Sequence, residues 1–212
     1  MKEETNTQEL QDRLSLIENM IAQGRRKTES WGWTFVLWGV AYYIAIAWST
    51  WGQKLSVWGA SQVAWPVTMI SAALLTMAIG SGFGKGKSQP GTTMGRAVSS
   101  IWISVGISML LIFPALGASG RLDEHSFVAL VGAMLGIANG ASSMILKWKM
   151  QLACAVVWWA TAVVGCFGSE LQCTVVFLAA LFFCQIVFGV YAMICEARRR
   201  RMESGIQGAA NA

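Results

Sequence analysis

The sequence predicts an all-α, polytopic membrane protein: a bundle of six transmembrane helices preceded by an amphipathic helix on the cytosolic side. Three observations lead there. Hydrophobic residues make up 55% of the 212 residues and charged ones 13%, with a mean hydropathy of +0.50, whereas a soluble domain carries roughly 25% charged residues. The apolar sequence falls into six segments, each close to the ~20 residues that cross a bilayer's hydrocarbon core, and none contains Asp, Glu, Lys or Arg. The charges collect between those segments, and they do so unevenly.

Residues 1–30 form the first part, a cytosolic helix and basic linker. They lack the apolar core and small-residue cleavage site of a signal peptide. Leu10, Leu14, Ile17 and Ile21 are spaced four, three and four apart, so they share one stripe of a helix. The polar side carries Glu9, Asp12 and Glu18 against Arg13, whereas a helix lying on anionic lipid carries Lys and Arg there. The stripe therefore reads as a surface for a protein: the bundle's own cytosolic side, a second copy of the chain, or a separate partner.

Residues 31–197 form the six-helix domain. The first span, Trp31 to about Trp51, has tryptophans at both ends, as the interfacial belts require. The second runs from about Val57 to Gly80 and contains Pro66, which removes one backbone hydrogen bond. The third, about Ala97 to Ala118, spaces Ser100, Ser104 and Ser108 four apart. The fourth, about Ser126 to Leu146, holds Gly132, Gly136 and Gly140 on one helix face, a seam through which a neighbouring backbone can approach closely. The serine face of the third span is one candidate to meet it. The fifth covers about Gln151 to Gly168 and the sixth about Leu171 to Cys195. Asn139 and Gln185 are the long polar side chains expected at depth, where an amide needs an interhelical partner or lines a path. Residues 198–212, beginning with Arg198 to Arg201, are expected to be a basic, disordered cytosolic tail.

Charge orients the bundle. Arg25, Arg26, Lys27, Lys85, Lys87, Arg96, Lys147, Lys149 and Arg198 to Arg201 flank one side, while Lys54 and Arg121 flank the other. The positive-inside rule then makes both termini cytoplasmic and turns the connections near Lys54, Arg121 and Glu170 outward. The net charge of +5 belongs to these flanks, so no direct binding of nucleic acid is expected.

Motifs for chemistry are few. In Gly80-Ser-Gly-Phe-Gly-Lys-Gly-Lys-Ser88 a phosphate loop ending in Gly86-Lys87-Ser88 needs Gly at position 81, and Ser81 stands there. His125, the one histidine, adjoins Asp123 and Glu124; acidic residues there suit the positive end of the fourth helix. No His/Cys/Asp spacing for zinc occurs, and with the single histidine outside the membrane core no Ser-His-Asp or Cys-His arrangement can be assembled. No metal, no cofactor and no enzymatic activity are therefore expected. Cys166 and Cys173 flank the outward turn around Glu170, where an oxidising exterior permits a disulfide; two unpaired thiols are the alternative.

Leu16 to Ile21, the basic residues after it, and the stretches Ser30-Trp-Gly-Trp33 and Leu37-Trp38-Gly39 resemble the opening of a group of uncharacterised small bacterial multi-pass membrane proteins, with an amphipathic helix followed by Trp-rich spans. The likeness covers the first ~40 residues. It implies a bacterial cytoplasmic (inner) membrane location and a regulatory protein partner on the cytosolic side. Two functions are compatible with the sequence. One is a membrane scaffold or sensor engaging that partner or a homo-oligomer. The other is a small transporter or channel for a neutral or lipid-like solute near Asn139 and Gln185, since no ionisable relay is available for proton or metal coupling.

Overall fold

The computed structural model describes residues 2–55, 60–82 and 93–210. It is 94% helical, with no strand among the described residues. The helices are α1 (Lys2–Ser30), α2 (Gly32–Lys54), α3 (Ala60–Gly82), α4 (Thr93–Ala118), α5 (Glu124–Leu146), α6 (Lys149–Phe167), α7 (Glu170–Leu181) and α8 (Phe188–Ala210). A π-helical turn, Phe182–Val187, joins α7 to α8. Among the described residues, five helical segments are long and apolar enough to cross a membrane: Gly32–Lys54, Met94–Ala118, Glu124–Leu146, Lys149–Phe167 and the continuous run Glu170–Met202. By length and composition the chain is a multi-pass membrane protein. α3 is itself 23 residues long, with Val63–Ile79 an apolar stretch within it.

The chain divides into two compact units, Met1–Glu29 with Gly91–Phe177, and Ser30–Pro90 with Leu178–Ala212. The centre of the first is the α5–α6 hairpin. Asp123 caps α5 by accepting a hydrogen bond from the Ser126 backbone N–H at 3.2 Å, which satisfies one of the orphan donors at a helix start. At the other end Lys147 takes a left-handed conformation, φ 49°, and the Trp148 N–H returns to the Ser143 carbonyl at 3.0 Å. That bond has the form of a Schellman stop. It lets α6 begin at Lys149, so the two helices run back to back. A capping box starts α7: the Ser169 N–H donates to the Gln172 side chain at 2.8 Å, and the Gln172 N–H donates back to the Ser169 hydroxyl at 3.4 Å. Phe177 on α7 stands edge-on to Phe127 of α5 at 5.5 Å and to Trp158 of α6 at 6.1 Å, while Phe113 of α4 lies tilted against Phe127 at 5.2 Å.

In the second unit α2 packs on α3 and on α8. Tyr42 of α2 meets Trp65 of α3 edge-on at 5.8 Å, and Phe35 meets Phe188 of α8 at 5.2 Å. Pro66 lies inside α3, and the Thr68 hydroxyl donates to the Ala64 carbonyl at 2.6 Å in the same turn.

Two expectations are corrected here. The stretch after Arg201 is helical to Ala210 rather than disordered. A helix already formed extends one residue at a time without a new nucleus, and Met202, Glu203, Gln207 and Ala209 are good helix formers. The glycine seam meets α6 rather than the serine face of α4, since the atoms nearest Gly132, Gly136 and Gly140 belong to Ala155, Trp158, Trp159 and Ala162, while Ser100 and Ser108 donate back to the Arg96 and Ser104 carbonyls of their own helix, each at 2.9 Å. The Gly80–Ser88 loop falls outside the described residues beyond Gly82.

Candidate functional site

The glycines of α5 face α6 in two different ways. A Cβ built on Gly132 would lie 2.8 Å from the Ala162 nitrogen and 2.9 Å from the Trp158 carbonyl oxygen, so here backbone meets backbone. Gly165 on α6 makes the reciprocal approach, its Cβ position 2.7 Å from the Ala129 nitrogen. Further along, Gly136 and Gly140 form a slot for the Trp159 indole; a Cβ on Gly140 would stand 2.8 Å from the ring. Small residues let the helices close to this distance, which maximises packing where no hydrophobic drive brings helices together.

Polar groups are buried beside this seam. Asn139 donates through Nδ2 to the Leu135 carbonyl at 2.8 Å on its own helix, but its Oδ1 has no partner. Ser142 Oγ, Trp158 Nε1 and both amide atoms of Gln151 are likewise buried without one. An unsatisfied buried polar group costs about 1–3 kcal/mol. Sequence reasoning found Asn139 and missed Gln151, which stands within the first turn of α6 and resembles a polar helix boundary until its burial is seen.

At the opposite end of the hairpin, the Ser126 hydroxyl and then its backbone N–H hold the Asp123 carboxyl below its ordinary range. His125 Nδ1 lies 3.1 Å from the Gly165 carbonyl oxygen, which can only accept, so the ring proton sits on that nitrogen. The Cys173 thiol donates to the Val164 carbonyl at 3.5 Å and stands at the same distance from His125 Nδ1. Glu124 accepts from the Thr174 hydroxyl. Asp123, Glu124 and His125 thus cap and fasten helix ends. Cys166 is exposed and Cys173 buried, and the structure holds both as thiols.

Gln185 is buried in the π-helical turn, where a Cβ on Gly39 of α2 would stand 2.9 Å from the Gln185 Cβ. Beside the same turn the Tyr43 hydroxyl donates to the Leu178 carbonyl at 2.7 Å. A second glycine contact, absent from the sequence reading, joins Gly32 and Gly189: each Cβ position lies within 2.8 Å of the other's carbonyl oxygen. Asn139 and Gln185 fall in different units of the chain.

The α1 stripe divides. Leu10, Leu14 and Ile17 are 55%, 59% and 48% exposed, and Ile21 is half-buried. From Gly24 onward the helix is anchored. A Cβ on Gly24 would lie 2.9 Å from Leu146 Cδ2, the Arg25 guanidinium sits 5.3 Å over the Trp148 ring, and Thr28 and Glu29 are buried. Ordering of the anchored end fixes the direction of the exposed part of one continuous helix.

No protein-family model, curated protein or solved structure matches this chain.

Proposed function

We propose that the chain is a non-enzymatic scaffold or sensor of the bacterial cytoplasmic membrane, crossing it six times with both termini inside, and that α1 engages a cytosolic protein. The observation that carries this reading is the split stripe of α1. Its end is fixed on Leu146 and Trp148, while Leu10, Leu14 and Ile17 present apolar surface that the described residues leave exposed. Such i, i+4, i+7 anchors are how an amphipathic helix binds a groove or another helix. The six-span topology rests on the charge flanks, with Lys54 and Arg121 outside.

The test is the variant Leu14→Asp with Ile17→Asp, compared with the parent in mild detergent for both melting temperature and co-purifying protein. The expected result is loss of the associated protein with the melting temperature unchanged. A lowered melting temperature with the same associated proteins would overturn the reading. The alternative, a small transporter or channel for a neutral or lipid-like solute, is favoured by the buried, unpartnered atoms of Asn139, Ser142 and Gln151; retention of one small molecule by the purified bundle would support it.

A further inference from the structure

We propose that the surface covering the α1 stripe is the α1 stripe of a second copy of this chain, in a short parallel coiled coil. This rests on the reading of α1 as a protein-binding helix and names its partner.

The spacing is the first argument. Leu10, Leu14, Ile17 and Ile21 repeat at four, three and four residues, the a/d pattern of a coiled coil with Leu10 and Ile17 at d and Leu14 and Ile21 at a. Gly24 and Thr28 continue the same register. These two are buried within the chain's own fold, Gly24 against Leu146 and Met94. One stripe therefore has an inner half spent on the chain itself and an outer half still open.

Charge is the second. In this register Arg13 occupies g and Glu18 the following e, and both are exposed. In a parallel pair the g residue of one helix meets the e residue five positions on in the other. Arg13 thus faces Glu18 of the second copy, twice by symmetry. Arg13 already donates to one carboxylate, Glu9 of its own helix at 2.6 Å, and its planar fork can hold a second. An antiparallel pair brings g to g and e to e, so these two residues do not meet.

The membrane supplies the third. All copies of one chain insert with the same orientation, so their α1 helices leave the bilayer on one side, as a parallel pair requires. Two heptads are marginal for free helices, but confinement at one depth and direction raises the effective concentration.

The test uses full-length protein in membranes. Leu10→Cys at d and Asn19→Cys on the far face are oxidised with copper phenanthroline beside the parent, which controls for native thiols. Disulfide-linked dimers are expected from Leu10→Cys alone; equal yields at both positions, or none at position 10, overturn the proposal. The second arm co-expresses two differently tagged copies. Arg13→Glu or Glu18→Arg in both copies should lower mutual capture about five-fold, from two exposed pairs changed to repulsion. One copy carrying Arg13→Glu with the other carrying Glu18→Arg restores both attractions and should recover capture; no recovery overturns the pairing. Glu18→Arg leaves the Glu9–Arg13 pair intact, so its effect reads the contact between copies. If copies do not capture each other while a different protein is lost on Leu14→Asp with Ile17→Asp, self-pairing falls and the partner reading stands. If that variant only lowers the melting temperature, both fall.

Discussion

The carbonyl oxygen of Trp158 stands where a side chain on Gly132 would have to go: a Cβ built there falls 2.9 Å from it. The neighbouring glycines are different, because Gly136 and Gly140 face the Trp159 indole, a side chain that is partly exposed and can turn away. The three positions therefore carry unequal costs although they share one stripe. Gly132→Ala should destabilise by about 1–3 kcal/mol, the range for forcing extra volume into a packed site, and no single neighbour substitution should rescue it. Gly136→Ala should cost less and be relieved by Trp159→Ala, while Gly136→Leu should be the most damaging at that site. Thermal unfolding of the variants in detergent, with the 136/159 double-mutant cycle, measures this. Equal loss at 132 and 136, with no coupling to 159, would contradict it.

Lys147 holds a left-handed backbone at φ 49° to turn α5 into α6. For a residue with a Cβ that conformation costs about 1 kcal/mol or more. Lys147→Gly should raise the hairpin's stability by about that amount, and Lys147→Val should lower it, since branching at Cβ aggravates the clash. Lys147→Ala serves as the control for loss of charge. Glycine no better than alanine in detergent melting would mean that the turn relaxes.

Much of this architecture was legible in the sequence because apolar segments of membrane length and an i, i+4 glycine repeat are local patterns. Gly132, Gly136 and Gly140 announced a close helix contact, but not its partner, since spacing along α5 says nothing about which helix lies opposite. The serines at 100, 104 and 108 looked equally suited, yet a hydroxyl within a helix can bond its own preceding turn, and Ser100 and Ser108 do. Gln151 was missed because a polar residue two positions after Lys149 looks like a helix end; burial depends on what packs there. The π-helical turn around Gln185 and the Gly32–Gly189 contact have no sequence signature of comparable strength.

The six-span topology can be tested at single residues. Cysteines placed at Lys54, Arg121 and Glu170 should react with a membrane-impermeant maleimide added outside intact cells, and cysteines at Lys85 and Arg199 should react only after permeabilisation. The basis is the bias of Lys and Arg toward one set of flanks. The α3 region decides the count, since five other helical segments among the described residues are long and apolar enough to cross and six spans require α3 (Ala60–Gly82) as well. Labelling at Lys85 from outside would remove α3 as a span and invert everything assigned after it.

The thiols near the α6–α7 turn differ in access. Cys166 is exposed, while Cys173 is buried with its Sγ directed at the Val164 carbonyl and His125 Nδ1, both at 3.5 Å. Alkylation of Cys173 needs the start of α7 to open, and each 1.4 kcal/mol of opening free energy slows it ten-fold. Maleimide should therefore label Cys166 at least about ten-fold faster than Cys173 in the folded protein. Cys166→Ser should remove the fast reaction and leave the slow one. His125→Ala removes the ring beside the thiol and should speed the slow reaction without touching the fast one. The disulfide permitted by the sequence makes the opposite forecast: in a sample never exposed to reductant, both thiols resist the reagent until dithiothreitol is added, and either serine substitution alone then releases the other. Mass spectrometry of the alkylated peptides separates the two. Protection of Cys166 in the unreduced protein would show that the thiol arrangement gives way to the covalent pair outside the membrane.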